Sequence, residues 1–307
     1  VRTLIAILAF CAALVVAGCG SEAQNPGSST NAETYAQKSR RSGIADPPSA
    51  AAYRKPIAEY RVHVKQSLGE MLGHVDAMAA AERRGDLAAA KTAWLAADRK
   101  YESIGAAYGA FGELNQRING TTAGVPGGTS SKQWKGLHRI EYLLWGKKSA
   151  AAAEHPTAQL RHDVSRLRHR SAKIEIDPLE YSLRAHEVLE DTLHVQLAGR
   201  ASQWSGGALN ALAGNIAGTR VVLRTLEPMI NQRNAQALRL ADASIVRLQS
   251  QLRRTKGSGS ANWNTLPQID RERINGYTAA AAEQLAFVPG LIDPRPPRAA
   301  QRAIGGT

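Results

Sequence analysis

From Ile57 onward the chain repeats large apolar side chains every three or four positions, and no stretch sustains the two-residue alternation of a strand. Ile57, Tyr60, Val64, Leu68, Met71, Leu72, Val75 and Met78 form one apolar stripe, which predicts a helix from about Ser49 to Arg84. Gly85 stops that helix. Asp86 is then placed to cap a second one, through Leu87, Ala90, Trp94, Leu95, Tyr101 and Ile104 toward Leu114, by accepting from unpaired amides of its first turn. Gly120, Gly124, Pro126, Gly127 and Gly128 mark a loop over residues 119–131. Further helices are predicted near residues 132–147, 157–173, 178–198, 207–232, 235–254 and 267–287, with Gly-, Pro- or Asn-containing breaks between them. About eight helices suit an all-α fold of two packed four-helix units.

The N-terminus has a different texture. Arg2 precedes an apolar run from Leu4 to Val16 that closes on Ala17 and Gly18 before Cys19, the layout of a secretory signal over residues 1–18. The run is shorter than the roughly 20 residues a spanning helix needs. Val16-Ala17-Gly18-Cys19 resembles a bacterial lipobox, so Cys19 is expected to carry lipid and hold an exported protein on the outer face of the cell membrane. Residues 19–48 are rich in Ser, Gly, Asn, Gln, Ala and Pro and are expected to be a flexible tether. A helical domain over residues 49–290 follows, and the Pro- and Arg-rich residues 291–307 are expected to be an irregular tail. Cys11 falls in the segment to be removed, so the mature chain has no thiol for a disulfide and must rely on its apolar core.

Basic residues number 39 against 26 acidic ones, for a formal charge of +13. That excess reads as solvated helix faces with affinity for anionic lipids or wall polymers. Nucleic acid is not an expected partner, because the chain reads as exported, aromatic residues are few, and no zinc-finger or RNP-like motif occurs.

The segment Gly136-Leu137-His138-Arg139-Ile140-Glu141-Tyr142-Leu143-Leu144-Trp145-Gly146 carries the clearest candidate chemistry. On a helix, His138 and Glu141 are three apart and share a face. An imidazole and a carboxylate so placed can bind one cation, as Glu-x-x-His pairs do inside metal-carrying bundles, or simply pair with each other on a helix surface. A second set, His186, Glu190 and His194, is spaced by four, with Glu187 and Asp191 beside it. That mixture suits Zn, Fe, Cu or Ni, and the competing reading is a solvated face paired with arginines. Arg161, His162, Arg166, Arg168, His169 and Arg170 read as a solvated basic helix, and the five tryptophans as core or rim aromatics.

The string Gly-x-His-x-x-Glu with its Tyr-Leu-Leu-Trp-Gly continuation resembles the signature of the imelysin-like family. Residues 60–111, through Gly85-Asp86-Leu87 and Tyr101-Glu102, resemble the first helical hairpin of that family's EfeO/EfeM branch. Glu190-Asp191 and the run from Asn215-x-x-Gly218 to Leu226-Glu227-Pro228 resemble its later helices, so the resemblance covers most of residues 55–290. It implies an all-helical two-bundle fold, a role in iron uptake, and a site for iron or another transition metal ion around the His-x-x-Glu pair. Carried over by position, the implied ligands are His138 and Glu141, then Glu102, Glu113 and Glu190. The implied partners are an iron permease and a haem peroxidase. Residues 20–48 are too few and too polar for the N-terminal cupredoxin domain of some members, which likens the chain to the stand-alone EfeM type. Departures are Gly105, Asn115 and Asn119 where the branch carries acids, and Gly199-Arg200-Ala201-Ser202 in place of its Gly-Glu-Glu-Asp. They predict a site with fewer carboxylates.

Imelysins were named as peptidases, yet His-Glu-x-x-His is absent, Arg139 follows His138, and no Gly-x-Ser-x-Gly elbow occurs. The expectation is a non-enzymatic, metal-binding lipoprotein accessory to iron uptake. The alternatives are a lipoprotein that binds another ligand or acts as a scaffold, and, behind it, a metallopeptidase.

Overall fold

The computed structural model describes residues 48–257 and 262–294; the expected signal segment, Cys19, nearly all of the tether, and the tail from Arg295 lie outside the described residues. Within them all regular structure is helical: α1 (Arg54–Arg83), α2 (Leu87–Glu102), α3 (Glu113–Asn119), α4 (Leu137–Glu141), α5 (Ala150–Arg170), α6 (Pro178–Asp191), α7 (Ala208–Gly257), α8 (Gln268–Leu285) and α9 (Phe287–Ile292). The α1 stripe is buried from Ile57 to Met78, apart from Leu72, which is partly buried. Asp86 caps α2 as its position predicts, its Oδ1 accepting the Ala89 N–H at 2.9 Å. Helix α1 packs against α2, α5 and α7, α2 also packs on α7, and α6, α8 and α9 pack on α7 as well, so two helical groups share one long rod.

Several boundaries differ from the sequence expectation, each for a local reason. The second helix stops at Glu102, passes through a 3₁₀ segment at Gly105–Phe111 and resumes as α3 after Gly112, whose φ is +58°. The helix expected from residue 132 begins only at Leu137. That expected from residue 157 begins at Ala150, where Ser149 accepts the Ala152 N–H and Pro156 is accommodated inside the helix. The two helices expected over 207–232 and 235–254 are joined in α7 across Asn234 (φ −158°, ψ 86°), whose side chain caps the second part by accepting from Ala237 N–H. Helix α9 runs to Ile292, two residues beyond the expected end of the helical domain at residue 290.

The largest buried side chains have polar ends, and each finds a partner. Trp94 Nε1 donates to Leu137 O at 2.8 Å, Tyr101 Oη donates to Asn115 Oδ1 at 2.9 Å, Tyr60 Oη accepts from Ala106 N–H at 3.2 Å, and Tyr181 Oη bonds Thr225 Oγ1 at 2.6 Å. A buried group left without such a partner costs about 1–3 kcal/mol. The Trp94 bond ties α2 to the first residue of α4, which sets the distance between the two helices that carry the candidate ligands. Helix α7 approaches α2 equally closely. A Cβ on Gly214 would stand 2.6 Å from Arg99 O and 2.8 Å from Glu102 Cβ, so only glycine permits that contact.

Candidate metal centre

The segment holding His138 and Glu141 starts from a backbone only glycine adopts readily. Gly136 has φ +84°, and a Cβ there would lie 2.3 Å from Ile118 O. The chain then turns directly into α4, sending Leu137 and Ile140 into the core while His138 and Glu141 share the side that faces α2. A five-residue π turn, Tyr142–Gly146, follows Glu141, and a second, Thr192–Gln196, follows α6. Such turns are rare and concentrate at functional sites, because the extra residue redirects side chains without ending the helix.

Four ionisable groups meet between these elements, with 0% exposure for Asp98, 3% for Glu102, 2% for His138 and 0% for Glu141. His138 Nδ1 is 3.1 Å from Glu141 Oε2. Glu141 Oε1 accepts three bonds, from the backbone N–H of Trp204 (3.1 Å) and Ser205 (2.8 Å) and from Ser205 Oγ (2.7 Å). Glu102 Oε2 accepts from Gln196 Nε2 at 3.1 Å and Asn215 Nδ2 at 3.0 Å, and its Oε1 accepts from Asn119 Nδ2 at 3.4 Å. Asp98 is the least satisfied. Its Oδ2 accepts one long bond from Asn210 Nδ2 at 3.3 Å, and its buried Oδ1 has no partner. The Trp94 ring lies beside His138, 6.4 Å between centroids.

Burial is the main reason the Asp98 carboxyl is held well above the usual carboxylate range, and the neighbouring Glu102 and Glu141 push it further. Glu102 is raised too: burial outweighs the lowering by Asn215, His138, Asn119 and Gln196. Among the described residues no lysine or arginine pairs with Asp98, Glu102 or Glu141. His138 is the one basic group beside them.

Of the five residues proposed as ligands, the structure brings His138, Glu141 and Glu102 together and leaves two outside. Glu113 is exposed in the first turn of α3. Glu190 is 47% exposed at its side chain and faces His186 across 3.8 Å. The stripe His186–Glu190–His194 does not turn toward His138, because α6 turns Tyr181, Ala185, Val188 and Leu189 inward; that face continues through Thr192, which joins the cluster through Asn215, and Gln196, which reaches Glu102, while His194 is exposed. Asp98 takes the place in the cluster that Glu190 was expected to fill. It stands four residues before Glu102, with Trp94 and Tyr101 on the same face, a spacing that marks it as inward-facing. Asn119, at a position where the branch carries an acid, turns its amide to Glu102 and so donates to the cluster instead of adding charge. In this conformation no three His, Cys, Asp or Glu side chains among the described residues converge closely enough to hold a metal ion.

The fold and this site define an all-helical protein with a buried histidine–carboxylate cluster between packed helices. The imelysin (peptidase M75) family model matches residues 56–286, and the chain belongs to the imelysin family. It is similar to the iron uptake system component EfeO of Yersinia pseudotuberculosis, 26% identical over 247 residues that cover 80% of this chain and 66% of that protein. It is likewise similar to the iron uptake system component EfeM of Pseudomonas syringae pv. syringae, 24% identical over 239 residues that cover 77% of this chain and 84% of EfeM. The matched region thus spans just under two thirds of EfeO and most of EfeM. No helix among the described residues is long and apolar enough to cross a membrane.

Proposed function

We propose that the chain takes up an iron ion, or another transition metal ion of similar preference, in the cluster formed by Asp98, Glu102, His138 and Glu141, as an accessory of iron uptake. One observation carries this reading: three almost fully buried carboxylates lie close enough to interact with one another and with a single imidazole, and no lysine or arginine pairs with them among the described residues. Buried charge is normally paired or bound to metal, and a set of one nitrogen and several oxygens suits a borderline divalent ion or iron better than a purely hard cation. The names of the EfeO and EfeM relatives support iron as the cargo.

Ligation requires side chains to rotate. Glu141 Oε1 is committed to Trp204 and Ser205, so Glu141 Oε2 and His138 must exchange their mutual bond for the ion, while Asp98 Oδ1 is already without a partner. Glu113 and Glu190 have no part in this set. The iron permease and haem peroxidase implied by the family resemblance are the proposed partners, and a lipid on Cys19 is the proposed anchor on the outer face of the membrane.

Calorimetric titration of iron and zinc ions into wild type, His138→Ala and Glu102→Gln tests the site. Wild type should bind one ion, and each variant should lose about tenfold or more in affinity. Failure of wild type to bind, or equal binding by both variants, refutes the reading. Membrane fractionation of Cys19→Ser tests the anchor separately.

A further inference from the structure

A second site lies on the solvent side of α2. The helices α1, α2 and α7 enclose a cleft of about 670 Å³ whose lining includes His63, Glu70, Arg99, Lys100, Asn210 and Gly214. That volume falls within the roughly 300–1,000 Å³ of small-ligand sites. Most of its lining residues carry polar or charged side chains. Glu70 is the one acid among the lining residues, and its carboxylate is already engaged by Lys100 and Gln66. Lys100 holds the Glu70 carboxyl below its ordinary value.

Positive charge is left over. Arg99 is exposed, lines the cleft, and has no ion-pair partner among the described residues. Arg224 lies near enough to His63 that it, with Lys100, lowers the imidazole pKa beyond the larger effect of burial. His63 is therefore biased toward its neutral form, with Nε2 2.9 Å from Ser103 O. The cleft thus combines a guanidinium, an ammonium shared with one carboxylate, and a further arginine beside the wall, in a chain whose overall charge is +13.

We infer that this cleft binds a small multivalent oxyanion bearing carboxylate or phosphate groups, with Arg99 as its principal contact. A planar guanidinium engages two oxygens of such a group at once, and charge-assisted bonds of this kind are about twice as strong as neutral ones. Lys100 can contribute by sharing its ammonium between Glu70 and the ligand. The inference does not rest on metal binding at the buried cluster.

The test is calorimetric titration of citrate and, separately, inorganic pyrophosphate into the metal-free chain at low ionic strength, so that metal chelation cannot mimic binding. At least one anion should bind with one-to-one stoichiometry, and the comparison tells whether carboxylate or phosphate is preferred. Arg99→Gln should lower affinity about tenfold or more. Arg253→Gln removes the same charge from an exposed helix position outside the cleft and should leave affinity within twofold. Ala217→Phe, which adds bulk to the lining without changing charge, should also weaken binding. Absence of binding by both anions, or an equal loss in Arg99→Gln and Arg253→Gln, overturns the inference in favour of diffuse surface charge.

Discussion

Replacing Asp98 by asparagine should make the metal-free protein more stable and the metal-loaded protein less so, relative to wild type. In the metal-free chain the Asp98 side chain is fully buried, its Oδ1 has no partner, and two further carboxylates are close enough to raise its pKa. An asparagine of the same shape avoids the cost of ionising a buried acid and offers an amide N–H to its neighbours, while its carbonyl can still accept from Asn210. Satisfying one buried polar group is worth about 1–3 kcal/mol. A net gain of about 2 kcal/mol should raise the melting temperature by about 4–8 °C for a domain of this size.

Metal reverses the order. An ion present at 100 times its dissociation constant stabilises the form that binds it by about 2.7 kcal/mol. Wild type should gain that amount, and Asp98→Asn, lacking one charged ligand and binding about a hundredfold more weakly, only about 0.4 kcal/mol, a shortfall that exceeds its advantage in the metal-free form. Thermal unfolding of both proteins, with chelator and with excess zinc as a redox-silent probe, therefore gives two melting-temperature differences of opposite sign. If Asp98→Asn is less stable than wild type in chelator, the Asp98 carboxylate is satisfied in a way the structure does not show, and the argument fails. If zinc stabilises both proteins equally, Asp98 is not a ligand.

Glu82→Gln should flatten the pH dependence of stability. Burial, with a smaller contribution from Glu154, raises Glu82 from 4.5 to about 7 against the lowering by Thr157 and Arg83. Because the folded-state value is the higher one, its stabilising effect is full below the unfolded value and is lost as pH rises through about 7. Urea midpoints at pH 5, 6.5 and 8 should fall more steeply for wild type than for Glu82→Gln, with a divergence of about 1–2 kcal/mol by pH 8. Gly136→Ala should cost more than about 2 kcal/mol in urea denaturation, since it combines a left-handed backbone with a Cβ 2.3 Å from Ile118 O, and it should weaken metal binding by displacing α4. Glu141→Ala should destabilise by about 2–4 kcal/mol, because three donors from Trp204 and Ser205 lose their acceptor; Glu141→Gln keeps that acceptor and should weaken zinc binding with little loss of melting temperature.

Much of this was legible in the sequence. The α1 stripe, the Gly85 stop and the Asp86 cap follow from local rules, and the Gly-x-His-x-x-Glu string located two of the four clustered groups. Asp98 opens the run Asp98-Arg99-Lys100, whose charge alone does not distinguish an inward from a solvated face. The side it occupies is set instead by Trp94 and Tyr101, four residues before it and three after, and both are fully buried. Glu190 was misplaced for a different reason. Its place among the ligands came only from the family resemblance, whereas the buried face of its helix runs through Tyr181, Ala185, Val188 and Leu189 and leaves Glu190 outward. The amides of Asn119, Gln196 and Asn215 were not legible as donors to the cluster, because each is chemically ordinary until three separate elements aim them at one carboxylate.

The cluster divides into atoms that are fixed and atoms that are not. Glu141 Oε1 is locked by the chain just before α7, and Glu102 is held by amides from α3, the π turn after α6, and α7. Those bonds position the two carboxylates without neutralising them, since every donor except His138 is an uncharged amide, hydroxyl or backbone N–H. What remains loose is Asp98 Oδ1 and the mutual contact of His138 with Glu141 Oε2. A purely structural network would be expected to place a lysine or arginine against three buried acids. A site built to exchange a cation needs the opposite: a rigid outer set of neutral donors that keeps the negative charge in place, and an inner set of weakly committed ligands that can close on the ion when it arrives.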